Sequence, residues 1–444
     1  MIIKRLDYIS EFFLFVLMVG ITVNNAPTEV ASYLLIFIFL LKHIIRRDIK
    51  LPSSPINIFL CMYSVVVLVT LIHSSYFGES IKGFSRVPKY IFLYLALVEL
   101  FKNDLKRLNR FFWIIMVVSA VTFINGVFQS IFGFDFFRHN AIDGPTSLCR
   151  ISSSFVHSND FGSYIITVLP LTFLIFSSLI SKRKRLALLP VSLLGFYCLL
   201  RTSSRGAWLG FLIAIIIYFF MYKKKIAILI PIIFIILIMF LPYGFERVTS
   251  IFKTNQGTVW ERTKLWQGAW GMIKEHPVLG LGVNTFSKNF PQYKPADYPD
   301  LRYAHNSYLQ MWAEIGLLGL IIFLAMPLTI LAKAFKGIKN EIPYTSRGKL
   351  ASLELRRSGP RGIQFIPPKP NSLRQTTGCS AEENKIKAGP QGLILLGAVC
   401  GYVGFLVQSG MDNNLFSLVL TTLFWVFSAY IVSWNSYLEN KNHA

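Results

Sequence analysis

Residues Arg302 to Leu320 read RYAHNSYLQMWAEIGLLGL, a polar segment bearing His305 that runs without a break into an apolar helix pattern. The apolar run continues to about residue 332, long enough to cross the hydrocarbon core of a bilayer. His305 is therefore expected where a membrane span meets water, a place suited to chemistry on a lipid-linked substrate.

The rest of the chain has the same character. Of its 444 residues 53% are hydrophobic and 15% charged, and the mean hydropathy is +0.51, too apolar for an ordinary soluble domain. Lys and Arg number 45 against 22 Asp and Glu, giving a formal net charge of +23. In a soluble protein that excess points to nucleic acid. Here the cations fall in short clusters between apolar runs, as they do in loops kept on the cytoplasmic side, so no nucleic-acid partner is expected.

Apolar runs of near-spanning length lie at about residues 9 to 25, 30 to 45, 56 to 73, 88 to 101, 111 to 131 and 161 to 180. Others lie at about 186 to 200, 206 to 222, 226 to 242, 307 to 332, 391 to 409 and 415 to 434. The expected fold is an all-α integral membrane protein of about twelve transmembrane helices, with a long, partly helical extracytoplasmic loop before the tenth. The clusters Lys42 to Lys50, Lys102 to Arg110, Lys182 to Arg185, Lys223 to Lys225 and Lys333 to Lys339 then share one side, with both termini cytoplasmic. This divides the chain into nine helices over residues 1–242, the outward loop 243–306, the tenth helix 307–332, a basic stretch 333–390, and the last two helices with a tail over 391–444. The opening MIIKRLDY is read as part of an uncleaved first span.

Three polar segments face outward together: about Gly133 to Asp160, the tight turn Arg201 to Trp208, and the loop from about Tyr243 to His305. The last contains TVWERTKLWQGAWGMIKEHPVLGLG, with Trp266, Trp270, Ile273 and Pro277 at helical spacing and breaks at His276-Pro277 and Gly280. An amphipathic helix on the outer leaflet is expected there, with Trp260, Trp266 and Trp270 at headgroup depth. On the cytoplasmic side, about Glu341 to Gln391 is rich in Pro, Gly, Ser, Arg and Lys without apolar periodicity, and reads as a loosely held insert. The five cysteines suggest neither a disulfide nor a metal framework, because three lie in apolar runs and Cys149 and Cys379 fall on opposite sides.

Several residues could carry chemistry. Arg205, at the outer end of a span in Arg201-Thr-Ser-Ser-Arg-Gly-Ala-Trp208, is costly at that depth unless paired or turned into a polar cavity. Ser203, Ser204 and Gly206 beside it let an anion approach backbone amides at the next helix start. Arg201 has the plainer reading of a side chain reaching to lipid phosphates. Arg262, with Lys264, stands above the same outward mouth, and two arginines make a fork suited to a diphosphate. Pairing of these cations with Glu246 or Glu261 on a solvated face is the bland alternative.

His305 precedes the tenth span, where an imidazole can act as general base toward an attacking hydroxyl, or simply be an interfacial hydrogen-bonding residue. Its flank, Tyr303, Asn306 and Ser307, offers polar orienting partners but no carboxylate. Glu314 projects from nearly the opposite side of the helix and is assigned to interhelix hydrogen bonding. Gly316 and Gly319 are assigned to a small-x-x-small helix contact. His139, Asp143, His157, Asn159, Asp160 and Asp412 face the same compartment, and no metal-ligand spacing or nucleotide-binding glycine loop stands out among them.

The pattern His305, Asn306, Leu309, Glu314, Gly316, Gly319 resembles the signature of the O-antigen ligase and O-antigen polymerase superfamily. The likeness runs from about Arg201 to Gly319 and includes Ser204-Arg205-Gly206, Arg262 with Trp266, and the turn Glu275 to Gly282. It implies a metal-independent membrane glycosyltransferase of the GT-C type, without cofactor, in the bacterial cytoplasmic membrane. The donor it implies is an undecaprenyl diphosphate-linked glycan and the acceptor a glycan or glycolipid such as lipid A-core. By that resemblance Arg205 and Arg262 hold the diphosphate and His305 activates the acceptor, supported by Asn306, Glu314, Ser204 and Lys264. The basic insert departs from the usual pattern. A repeat-unit polymerase or a protein glycosyltransferase differs only in acceptor, and a polysaccharide or lipid transporter would gather its unusual residues at mid-membrane depth instead of at the outer rim.

Overall fold

The computed structural model describes residues 2–48, 50–142, 150–177, 179–222, 229–239, 258–295, 303–341 and 390–443. Among them each expected apolar run falls on a helix. These are α1 (Ile2–Val23), α2 (Asn25–Arg46), α3 (Asn57–His73), α4 (Phe77–Phe101), α5 (Leu105–Phe132), and α6 (Ser158–Val168), which is continued by a 3-10 segment Leu169–Phe176. Then come α7 (Lys182–Arg201), α8 (Arg205–Tyr222) and α9 (Leu229–Met239), the loop helices α10 (Thr258–Glu275) and α11 (Phe286–Tyr293), and α12 (Ser307–Glu341), α13 (Gln391–Ser409) and α14 (Leu418–His443).

Eight of these are long and apolar enough to cross a membrane: α1, α2, α5, α6 with its continuation, α8, α12, α13 and α14. The protein is a multi-pass, all-helical membrane protein. Of the other four expected spans, α3 has 17 residues, α4 carries Glu79, Lys82, Arg86 and Lys89 in its first half, α7 opens on the charges Lys182 to Arg185, and α9 is described over Leu229–Met239, with the residues next to it on both sides outside the described ones. The expected all-α membrane fold is thus borne out, with eight helices of full spanning length and further apolar helices among the described residues.

Charge organises one end of the bundle. Lys42 on α2 lies 3.0 Å from Asp7 of α1 and 3.1 Å from Glu99 of α4, and Arg107 on α5 lies 2.9 Å from Asp7 and 3.0 Å from Glu11. Arg46 and Arg110 close the network on Glu99 and Glu11 at 2.9 and 2.8 Å. Cations and carboxylates thus neutralise one another where four helix ends meet, as groups near an apolar layer must.

Close backbone approach positions the other end. On α13, a Cβ at Gly401 would stand 2.0 Å from the Thr167 carbonyl oxygen of α6, and Gly404 and Gly210 of α8 face each other so that a Cβ on Gly210 would meet the Gly404 oxygen at 2.6 Å. Small residues let these helices touch backbone to backbone. The consequence is that the turn after α13 is delivered to the start of α12.

α12 departs from expectation. It is two helical pieces joined at Gly316, whose φ of 70° and ψ of 177° are not helical. The segment after α10 pairs with the break: Leu281 and Gly282 N–H donate to the Ala313 and Glu314 carbonyls at 3.0 and 2.8 Å, and Leu317 N–H donates to the Pro277 carbonyl at 2.9 Å. The assignment of Gly316 and Gly319 to helix-helix packing is therefore corrected. Gly316 supplies a backbone conformation open to glycine, the atoms nearest a Cβ at Gly319 belong to Ile315 of its own helix, and the freed α12 groups are satisfied by the 277–282 strand of chain.

Among the described residues the long loop before α12 holds two helices where one was expected. Leu265, Ala269, Met272 and Ile273 of α10 are buried against Phe286 and Phe290 of α11, Ala304 and Ala313, forming a small separate core. Trp260, Trp266 and Trp270 stay 37–45% exposed, and the Trp266 indole donates to the Ala304 carbonyl at 3.1 Å. Residues 243–257 with Glu246, Asp143, Cys149, Lys223 to Lys225 and the expected insert over 342–389 with Cys379 lie outside the described residues.

Candidate functional site

The site begins with how α12 starts. The Asn306 side-chain oxygen accepts the N–H groups of Tyr308 and Leu309, both at 3.1 Å, which caps the helix. Asn306 is thus a helix cap. Asn306→Ala is expected to lower stability by about 1 kcal/mol, read as a fall in the thermal unfolding midpoint of the purified protein.

The turn following α13 docks on this first helical turn. Ser307 donates from its backbone N–H and its hydroxyl to the Asp412 carbonyl at 3.1 and 2.8 Å, and the Asn413 side chain donates to Gln310 at 2.9 Å. His305, just before the cap, has φ of 48°, left-handed for a non-glycine residue. That bend carries its ring to Asp412, with Nδ1 3.1 Å from Oδ1. The other carboxylate oxygen lies 4.0 Å from Nη2 of Arg262.

Asp412 is nearly buried while His305 is half-exposed. Burial by itself drives the Asp412 carboxyl upward, but the His305 hydrogen bond and the charges of Arg262 and His305 outweigh it and hold the group below the usual aspartate range. The site therefore keeps an ionised carboxylate at neutral pH. The sequence reading gave His305 no carboxylate on its flank; the partner arrives from a residue 107 positions later.

Asp412 is a wall between two cavities. The smaller, 80 Å³, is lined by Arg150, Ser204, Arg205, Gly206 and Arg262. Arg205 opens α8, and Ser203 before it has φ of 49°, which folds the Arg201–Trp208 turn tightly. Arg150 is held by the Thr202 carbonyl at 2.9 Å and the Asn159 side-chain oxygen at 2.7 Å. Three guanidinium groups thus face one small space, a geometry that suits phosphate oxygens.

The larger cavity, 530 Å³, receives His305 and Asp160 beside Asp412, and extends to an apolar floor that includes Ile21, Phe424 and Trp425. The α1–α2 turn at Asn24 and Asn25 also lines it, so the site lies at the end of the bundle opposite the ionic network. A space polar at its mouth and apolar at depth fits an amphipathic guest.

The other expected residues have different places. Glu314 accepts the Asn284 N–H at 2.7 Å, the Phe286 N–H at 3.3 Å and the Gln310 amide at 3.0 Å. Its assignment to interhelix bonding is corrected: it fastens the loop at the start of α11, because those backbone donors are otherwise unmatched at a helix start. Lys264 lines neither cavity, and its ammonium sits 5.7 Å over the Trp260 ring. Arg262 meets the Asp412 carboxylate at 4.0 Å.

Residues missed in the sequence reading are Arg150 and the pairing role of Asp412. For Asp412 a signal existed, since a lone acid between two apolar helices is costly without a partner. For Arg150, which sits in an irregular loop, no pattern marked it.

Pro190 to Leu324 run from α7 through the break in α12, and so carry Arg205, Arg262, the 277–282 segment, His305 and Gly316. Residues 190–324 match the O-antigen ligase family. The chain is also similar to an uncharacterized protein of Haemophilus influenzae, 32% identical over 162 residues that cover 31% of this chain and 40% of that one. Within the O-antigen ligase segment lie the two sequence-picked arginines and His305, whereas Arg150, Asp160 and Asp412, which complete the surroundings of His305, lie outside it.

Proposed function

We propose that the protein is a ligase-type glycosyltransferase that moves a glycan from undecaprenyl diphosphate to an acceptor hydroxyl, on lipid A-core or a similar glycolipid, at the outer face of the cytoplasmic membrane. The observation that carries this reading is the Asp412 carboxylate, held by His305 on one oxygen and facing Arg262 on the other, between an arginine-lined cavity and a larger amphipathic one.

The geometry supports a direct displacement. With Nδ1 donating to Asp412, Nε2 is the nitrogen left to take a proton from the acceptor hydroxyl. The acceptor oxygen forms its bond to the anomeric carbon as the bond from that carbon to the diphosphate oxygen breaks. The electron pair leaves with undecaprenyl diphosphate, and Arg205 and Arg262 stabilise the charge gathering there. Fixed cations in a partly dry cleft contribute several kcal/mol to such a step, on the order of 3 for each well-placed donor.

The test is incubation of the purified protein with undecaprenyl diphosphate-linked glycan and candidate acceptors, following release of undecaprenyl diphosphate and appearance of glycosylated acceptor. Asp412→Asn keeps the shape but removes the charge that orients the ring, and is expected to slow transfer by roughly 10²-fold. Wild-type rates from the Asn variant would remove Asp412 from the mechanism. Absence of any transfer by the wild-type protein to glycolipid, glycan or protein hydroxyls would overturn the reading.

A further inference from the structure

We infer that Arg86 and Arg138 form a second anion subsite, in the larger cavity, that receives an acidic group of the acceptor, a sugar carboxylate or a phosphate monoester. This rests on the proposed transfer reaction and names a property of its acceptor. Both arginines line the 530 Å³ cavity with His305. His305 does not line the smaller cavity, so the hydroxyl it would deprotonate has to come from the larger one.

The two guanidinium groups have charge to spare. Among the described residues Arg86 makes no hydrogen bond or ion pair, and Arg138 uses one of its donors on the Ser154 carbonyl at 3.0 Å. The acids of the same cavity face other groups: Glu314 bonds backbone and amide N–H groups, Asp412 meets His305 and Arg262, and Asp160 lies beside Asp412 and His305. Arg86 feels the charges of Glu314 and Glu79 but pairs with neither within 4.0 Å, and a cation so placed in a cavity is a ready recognition point for an anionic guest.

Arg138 is also held in place by a built loop. Fully buried Asp135 accepts the N–H groups of Phe137, Arg138 and Asn140 at 3.0, 2.9 and 2.7 Å. Gln129 accepts those of Ser152 and Ser153 at 2.8 and 2.7 Å, and Asn125 bonds Ser153, Ser154 and the Phe136 N–H. A buried polar network so well satisfied fixes its surroundings. Its outcome here is one arginine fixed at the mouth of the cavity.

The experiment uses the full chain in phosphatidylcholine nanodiscs, with trisaccharides ending in glucuronate, in glucose 6-phosphate or in glucose, and inorganic pyrophosphate as a separate probe. The wild type is expected to bind one or both acidic trisaccharides at least roughly tenfold more tightly than the neutral one. Arg86→Gln with Arg138→Gln should erase that preference, and leave binding of the neutral trisaccharide and of pyrophosphate unchanged. Equal binding of all three trisaccharides by the wild type, or a preference that survives the double substitution, overturns the subsite. Loss of pyrophosphate binding in that variant would also overturn it, assigning these arginines to the donor. The transfer reading fails separately: pyrophosphate binding that withstands Arg205→Gln with Arg262→Gln removes the donor site without touching the acidic preference.

Discussion

Replacing His305 with alanine is expected to lower glycan transfer by roughly 10³-fold or more, with the protein still inserted and folded. The loss has two sources in the proposed reaction. The acceptor hydroxyl would lose the imidazole that faces it, and the carboxylates of the cavity replace it poorly, since Asp412 and Glu314 are engaged in other bonds and Asp160 sits beside the Asp412 charge. The Asp412 charge would also lose the hydrogen bond at 3.1 Å that orients it, leaving Arg262 at 4.0 Å as its neighbour. Folding should survive because the docking of the 409–414 turn on α12 runs through Ser307, Asn413 and Gln310, none of which needs the imidazole. His305→Gln serves as the companion variant, because its amide can still donate to Asp412 yet cannot take up a proton. Comparable losses in both variants, with thermal midpoints close to wild type, would assign the effect to proton transfer. Full activity in the glutamine variant would reduce His305 to a structural partner of Asp412.

How far the sequence led is best seen at particular residues. The apolar runs all landed on helices because a hydrocarbon layer forces each crossing segment to satisfy its own backbone, which leaves a long and unambiguous composition signal. α3 shows where that signal thins: it is as apolar as the rest yet has 17 residues, at the lower edge of what a crossing needs. Arg205 and Arg262 could be placed on one compartment by alternation of spans, and the structure puts both on one cavity. The pairing of His305 with Asp412 is another matter. It depends on α13 approaching α6 and α8 backbone to backbone, and nothing local to either residue encodes that. The break in α12 was hidden for a related reason. Apolar residues continue evenly on both sides of Gly316, so periodicity reads as one helix, while the distinguishing bonds come from Pro277 to Gly282 some thirty positions earlier.

The same break yields the second large expectation, which concerns stability: Gly316→Ala should destabilise the protein by about 3 kcal/mol or more. The φ of 70° with ψ of 177° lies in a region essentially closed to residues with a Cβ, which by itself costs on the order of 1 to 3 kcal/mol. The added methyl would stand 1.9 Å from the Val278 carbonyl oxygen and 2.5 Å from the Leu279 nitrogen, and both are backbone atoms that cannot rotate away. Relief requires the 277–282 segment to move off α12, which breaks the bonds from Leu281, Gly282 and Leu317 and leaves polar groups unmatched beside an apolar helix. Movement there reaches the site through Glu314, whose carboxylate ties Asn284 and Phe286 to the same helix that begins at His305. Transfer should therefore fall together with the thermal midpoint, unlike the His305 variants, in which activity falls alone. Gly78→Ala is the matched control, because a Cβ at Gly78 meets nothing within 4 Å and its backbone is helical, so stability should hold or rise slightly. If the two alanine variants melted alike, the strand of chain at 277–282 would not be locked against α12 in the way the hydrogen bonds indicate.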